Sequence, residues 1–136
     1  FRSNVKHTLA HIYECAYITC MPLAPENLFH ALSDPTRLRT LMLLTAEDEL
    51  CVCELTHALG LSQPMISRHL ASLREAALVS DRRAGKWIYY RLHPELPKWA
   101  LAVLTEAHAG VARSEPYRAD HRALRSMNNR PFRHCA

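Results

Sequence analysis

Cysteines stand at positions 15, 20, 51, 53 and 135, and Cys51 and Cys53 are separated by Val52 alone. Thiolates are soft donors, and an odd, clustered set of them reads as metal-binding or redox-active chemistry rather than a disulfide framework. Residues 51–59 carry Val52, Leu55 and Leu59 at helical spacing, which puts the close pair on a short helix. Positions i and i+2 of a helix lie about 200° apart, too far round the axis for two sulfurs to meet on one small atom. Chelation is therefore expected to unwind the start of that helix. Oxidation would use the same sulfurs, although a bridge across one residue makes Cys51 and Cys53 awkward partners. Catalysis finds no comparable support: Ser/His and Cys/His pairs exist, but no Gly-rich phosphate loop, nucleophile elbow or paired catalytic carboxylates accompany them. The chain is not expected to be an enzyme.

The elements that must position this pair are mostly helical. A first helix is predicted from Glu26 to about Ser33, ended by the restriction Pro35 places on the residue before it. Asp34 then caps a second, with Pro35 in its first turn and Leu38, Leu41, Met42 and Thr45 as its buried stripe. The cysteine-bearing helix stops at Gly60, and Ser62 caps a fourth that runs to Glu75, leaving the three-residue turn of a helix-turn-helix. Ile66, Leu70 and Leu73 share one face of this fourth helix. Pro64, Ser67, Arg68, Ala71 and Ser72 point the other way, a small-residue surface that another body can approach closely. Residues 78–82 and 86–92 read as two strands turning at Ala84 and Gly85, with Ile88, Tyr90 and Leu92 alternating against Trp87, Tyr89 and Arg91. A last helix is expected from about Glu95 to Gly110, resuming toward Ser126.

The fold class is thus mainly α with a small β-hairpin, a winged helix-turn-helix. Its organisation is read as an N-terminal appendage over residues 1–20, a dimerisation and DNA-binding domain over 21–126 and a flexible tail over 127–136. Arg68, Arg74, Arg82, Arg83, Lys86 and Arg91 face only Glu75 and Asp81 between Ser62 and Leu92, so that segment's net charge equals the +4 of the whole chain. Side chains near a recognition helix's N-terminus reach base edges in the major groove, which makes Gln63, Ser67, Arg68 and His69 the expected DNA contacts. His69 flanks the buried face and serves equally well as a packing residue. Arg82, Arg83 and Lys86 on the wing are expected to meet phosphate or the minor groove. No apolar run approaches the roughly 20 residues that span a bilayer, and His7, His11 and Glu14 interrupt any secretory core near the start, so a cytoplasmic protein with no membrane partner is expected.

The segments LSDPTRLRTLMLL, ELCVCEL, LSQPMISRHLASLREAALV and DRRAGKWIYYRL resemble the ArsR family of metalloregulatory repressors over roughly Met21 to Ala109. SQPMISRHL, GKWIYYRL and PELPKWA look most like its arsenic-responsive branch. The resemblance implies a homodimer built on the first and last helices, which fits the apolar faces of Leu28, Phe29 and Leu32 and of Trp99, Val103 and Leu104. It also implies repression of an operator until a toxic metal or metalloid binds, with arsenite or antimonite as the inducer at Cys51 and Cys53. The best-known arsenic repressors have a third Cys three residues after the second, where this chain has Thr56; Cys135, Cys15 and Cys20 are the candidates to complete the site. Cadmium- and lead-sensing members resemble this chain in an ELCVC helix without that third Cys, joined by N-terminal thiols that Cys15 and Cys20 would supply here. A thiol redox switch is the remaining alternative. For a zinc sensor, Glu106 and His108 match half of the pattern and His121 falls at the wrong separation, so these read as exposed helix residues.

Overall fold

The structure is a computed structural model that describes residues 23–131. Helices α1 (Pro25–Leu32) and α2 (Pro35–Ala46) are followed by a short strand β1 (Leu50–Cys51), α3 (Val52–Leu59) and α4 (Gln63–Glu75). Strands β2 (Val79–Ala84) and β3 (Trp87–Leu92) form the wing, and α5 (Lys98–Val111) and α6 (Tyr117–Ser126) close the described chain.

Helix starts and stops follow local chemistry. The Asp34 carboxylate accepts the Arg37 N–H at 2.9 Å ahead of α2, which holds its pKa below the ordinary carboxylate value, and the Ser62 hydroxyl accepts the Met65 N–H ahead of α4. Gly60 takes φ 65° and ψ 30°, the left-handed stop that lets α3 turn into α4 within three residues. Helix α2 is the centre of the core. Its residues Thr40 to Leu44 are all buried, a wider contact than the predicted stripe, because α2 meets α1, α3, α4, α5, α6 and β3. On α4 the buried residues are Ile66, Leu70 and Leu73, the face the spacing predicts.

The sheet is antiparallel with order β1-β3-β2, and Leu50 and Cys51 pair with Tyr90 and Tyr89 of the wing. Cys51 is therefore the last residue of a strand rather than the first of a helix, and only Cys53 of the pair lies on α3. The wing turns at Gly85 and Lys86 rather than at Ala84 and Gly85, since Ala84 still pairs with Trp87 and Gly85 carries the positive φ of 60° that the tight loop needs. Helix α5 starts at Lys98, after Pro97, not at Glu95. Among the described residues no helix is long and apolar enough to cross a membrane.

Candidate thiol site and nucleic-acid interface

Cys51 joins two elements. Its backbone ends β1 with φ −81° and ψ 164°, and its sulfur accepts the Glu54 N–H at 3.4 Å as the N-cap of α3. The Glu54 carboxylate reaches back to the Cys51 N–H at 3.1 Å, completing a capping box in which a thiol group stands where Ser or Thr is usual. The extended backbone at position 51 turns its side chain toward that of Cys53, and the two are joined as a disulfide with Cα atoms 5.4 Å apart. Two expectations are thereby corrected. The 200° separation applies only to residues that are both helical, so the sulfurs converge with α3 intact, and the predicted awkward partners are in fact paired. Cys15, Cys20 and Cys135 lie outside the described residues.

Glu54 is wholly buried, and its charge is met by Arg130, whose Nε lies 2.7 Å from Oε2. Arg130 also stands 3.8 Å from Glu47. The predicted loose tail after Met127 is thus packed at least through Pro131, itself buried, and ends against the cap of the cysteine-bearing helix. Glu54 was visible in the sequence as a C-x-x-E version of the capping-box spacing. Arg130 had no such signal, being 76 residues away.

Beside the sulfur pair lies a cleft of about 500 Å³. Val52, Cys53 and Thr56 of α3 form one side, Trp87 and Ile88 of the wing another, and Gln63 and Lys86 also line it. The Thr56 hydroxyl donates to the Val52 carbonyl at 2.8 Å.

The predicted DNA-contacting residues fall into two groups. Gln63, Ser67 and Arg68 are exposed on α4, and Arg83 is exposed on the wing. The others have protein partners. His69 is half-buried, with Nδ1 3.8 Å from the Asp34 carboxylate. The Arg82 guanidinium makes a two-pronged ion pair with Glu49 and lies 4.6 Å over the Tyr89 ring; the Lys86 ammonium lies 5.1 Å over Trp87. Arg74 is held by Asp81 at 3.1 Å, which ties α4 to β2. Of the basic cluster counted from the sequence, Arg68 and Arg83 make no ion pair among the described residues.

Helix α6 packs along α3 and α2, fixed by Arg39, which donates to both oxygens of the buried Asp120, at 2.8 and 2.6 Å, and to the Leu59 carbonyl at 3.4 Å. The carboxylate raises the Arg39 pKa. His108 and His121, read as exposed from the sequence, are instead half-buried with their Nε2 atoms 3.3 Å apart between α5 and α6. Burial, with the His108 ring adding to it, lowers the His121 pKa from its ordinary 6.5. The unfolded chain then takes up a proton before the folded one does. The stability that His121 lends is complete above about pH 6.5 and is lost as pH falls through that value toward the lowered one. His121→Gln is expected to flatten the fall in urea midpoint between pH 7.5 and 5.5; an unchanged slope overturns the assignment.

Three helices with a β-hairpin wing, an exposed Arg68 on the second helix of the helix-turn-helix and a thiol pair at the root of the first define a winged helix-turn-helix DNA-binding protein. The family model described as "Bacterial regulatory protein, arsR family" matches residues 34–81. The arsenic resistance transcriptional regulator ArsR1 of Pseudomonas putida is 54% identical over 111 residues, covering 80% of this chain and 84% of that protein. The arsenical resistance operon repressor of Escherichia coli is 54% identical over 85 residues, 62% of this chain and 73% of the relative. Among solved structures, the transcriptional repressor BigR of Xylella fastidiosa matches with a TM-score of 0.55 at 27% identity, covering 82% of this chain and 96% of that one. A homodimeric winged helix-turn-helix DNA-binding domain from Mycobacterium bovis matches with a TM-score of 0.53 at 26% identity, covering 62% and 74%. The chain belongs to the ArsR family of transcription regulators, which are not enzymes.

Proposed function

We propose that this chain is a metalloid-responsive repressor that binds operator DNA as a homodimer and is released when trivalent arsenic or antimony binds Cys51 and Cys53. The observation that carries the reading is the position of Cys51, at once the partner of wing residue Tyr89 and the N-cap of the helix beneath α4. A ligand that takes the lone pairs of that sulfur removes the cap from α3 and pulls on β3, so it disturbs the two parts that face DNA together. The names of the Pseudomonas and Escherichia relatives support the choice of arsenic. Dimerisation is supported by Phe29, Trp99 and Leu101, large apolar side chains left exposed on α1 and α5 at 54%, 39% and 45%. The third ligand is one of Cys135, Cys15 and Cys20.

The test is release of a promoter fragment from the reduced protein by arsenite or antimonite, with cadmium, lead and zinc as comparisons. Arsenite release supports the reading; release by cadmium alone, lost on removing residues 1–20, replaces it with the four-thiolate alternative. DNA binding has its own check. Arg68→Ala is expected to weaken specific binding by about 1–3 kcal/mol, the range for a bidentate base contact, and to relax preference at one position. Unaltered affinity and preference would move recognition to other residues. A redox switch is a second reading, favoured by the Cys51–Cys53 disulfide. It requires that oxidation alone release the DNA and that a dithiol reductant restore binding.

A further inference from the structure

We propose that the cleft beside Cys53 receives the carbon substituent of a monosubstituted trivalent arsenical, so that organoarsenicals fit this dithiol better than arsenite does. The inference rests on the thiol reading above and narrows its ligand class. Trivalent arsenic makes three bonds, and Cys51 and Cys53 supply two. Thr56, three residues beyond Cys53, is a hard oxygen donor whose proton is already committed to the Val52 carbonyl at 2.8 Å. No other cysteine stands among the described residues. What does stand beside Cys53 is space: about 500 Å³, within the range of small-ligand sites, walled by Val52, Trp87 and Ile88.

The chemistry balances without a change in oxidation state at arsenic. The disulfide is first reduced by a small-molecule dithiol, which is itself oxidised by two electrons. The two thiols then exchange with the hydroxyls of R–As(OH)2. Two As–S bonds form, two As–O bonds break, and the thiol protons leave with the hydroxides as two waters. The carbon group completes the three bonds and lies against Trp87 and Ile88, removing apolar surface from water. Arsenite undergoing the same exchange keeps one hydroxyl facing an apolar wall. Because Gln63 begins α4 and Lys86 sits at the wing tip, a group filling the cleft is wedged between the two DNA-facing elements.

The test compares phenylarsine oxide with sodium arsenite on the reduced full chain bound to a promoter fragment, in wild type, in Trp87→Ala, and in a variant with Cys15, Cys20 and Cys135 all changed to serine. Wild type is expected to reach half-release at roughly tenfold or more lower phenylarsine oxide than arsenite, as burial of an aromatic ring gives. Trp87→Ala should shrink that ratio by raising the phenylarsine oxide requirement alone, and Trp87→Phe, which keeps a ring, should preserve it. The triple-serine variant should keep its phenylarsine oxide response and lose arsenite response. Equal potency of the two arsenicals in wild type overturns the proposal while leaving the thiol reading intact, and so does a Trp87→Ala variant shifted equally toward both. Failure of both arsenicals to release wild type overturns the thiol reading itself.

Discussion

Cys51→Ser is expected to leave operator binding intact and to raise the arsenite concentration for half-release by more than about a hundredfold, equivalent to about 2.7 kcal/mol of lost ligand affinity. The substitution is unusually clean. Cys51 is wholly buried and acts as an N-cap, and serine is among the best N-cap residues, so its hydroxyl can accept the Glu54 N–H in place of the sulfur while Glu54 still holds the Cys51 backbone. The strand pairing to Tyr89 uses backbone only and does not change. What is lost is the soft donor. Cys53→Ser should give the same loss of response, and because Cys53 is only partly buried on the first turn of α3 its effect on folding is smaller still. Fluorescence anisotropy of a labelled promoter fragment, titrated with arsenite after reduction, reads both quantities at once. If either variant is released as readily as wild type, the responding thiols are elsewhere in the chain.

What could be seen of this in the sequence was local. The α4 start, its Ser62 cap and its Ile66, Leu70, Leu73 face follow from residues within one helix, and so does the left-handed stop at Gly60. The end of α4 carries no such mark. Ala77 takes φ 58°, the conformation glycine ordinarily supplies, so nothing in the residue type announces the turn into β2. The thiol pair itself was legible, but its geometry was not. Leu50 and Cys51 read as helix because Val52, Leu55 and Leu59 extend a helical pattern backwards over them; their pairing with Tyr90 and Tyr89, some 40 residues on, is decided by the wing. The same holds for charge. Arg82 looks free in a basic hairpin until Glu49, 33 residues earlier, is brought against it, which moves the exposed positive charge toward Arg68 and Arg83. Composition predicted a basic face, and tertiary pairing decided which of its members remain available.

Arg130→Ala is expected to cost about 3 kcal/mol of folding stability, within the range for removing one partner of a buried ion pair. The magnitude follows from what remains. Glu54 is 0% exposed, and its other hydrogen bond comes from the neutral Cys51 N–H, so the variant leaves a carboxylate in the core with no cation at 2.7 Å. Glu54→Gln in the Arg130→Ala background removes the stranded charge and should recover part of the loss, whereas Glu54→Gln alone should destabilise. This non-additivity separates the ion pair from simple loss of arginine packing. Urea unfolding at fixed protein concentration measures it, and a cost under about 1 kcal/mol would mean that Glu54 finds another partner or takes up a proton at little cost. The same arginine bears on the unsettled third ligand. Cys135 follows Arg130 by five residues, a span of roughly 17 Å at most when extended, so a tail tied to Glu54 keeps that thiol within reach of the cap formed by Cys51. If Cys135 completes the arsenite site, untying the tail lowers its local concentration at the sulfur pair and raises the arsenite needed for release in Arg130→Ala. If the third sulfur comes from Cys15 or Cys20, the variant loses stability and keeps its arsenite response.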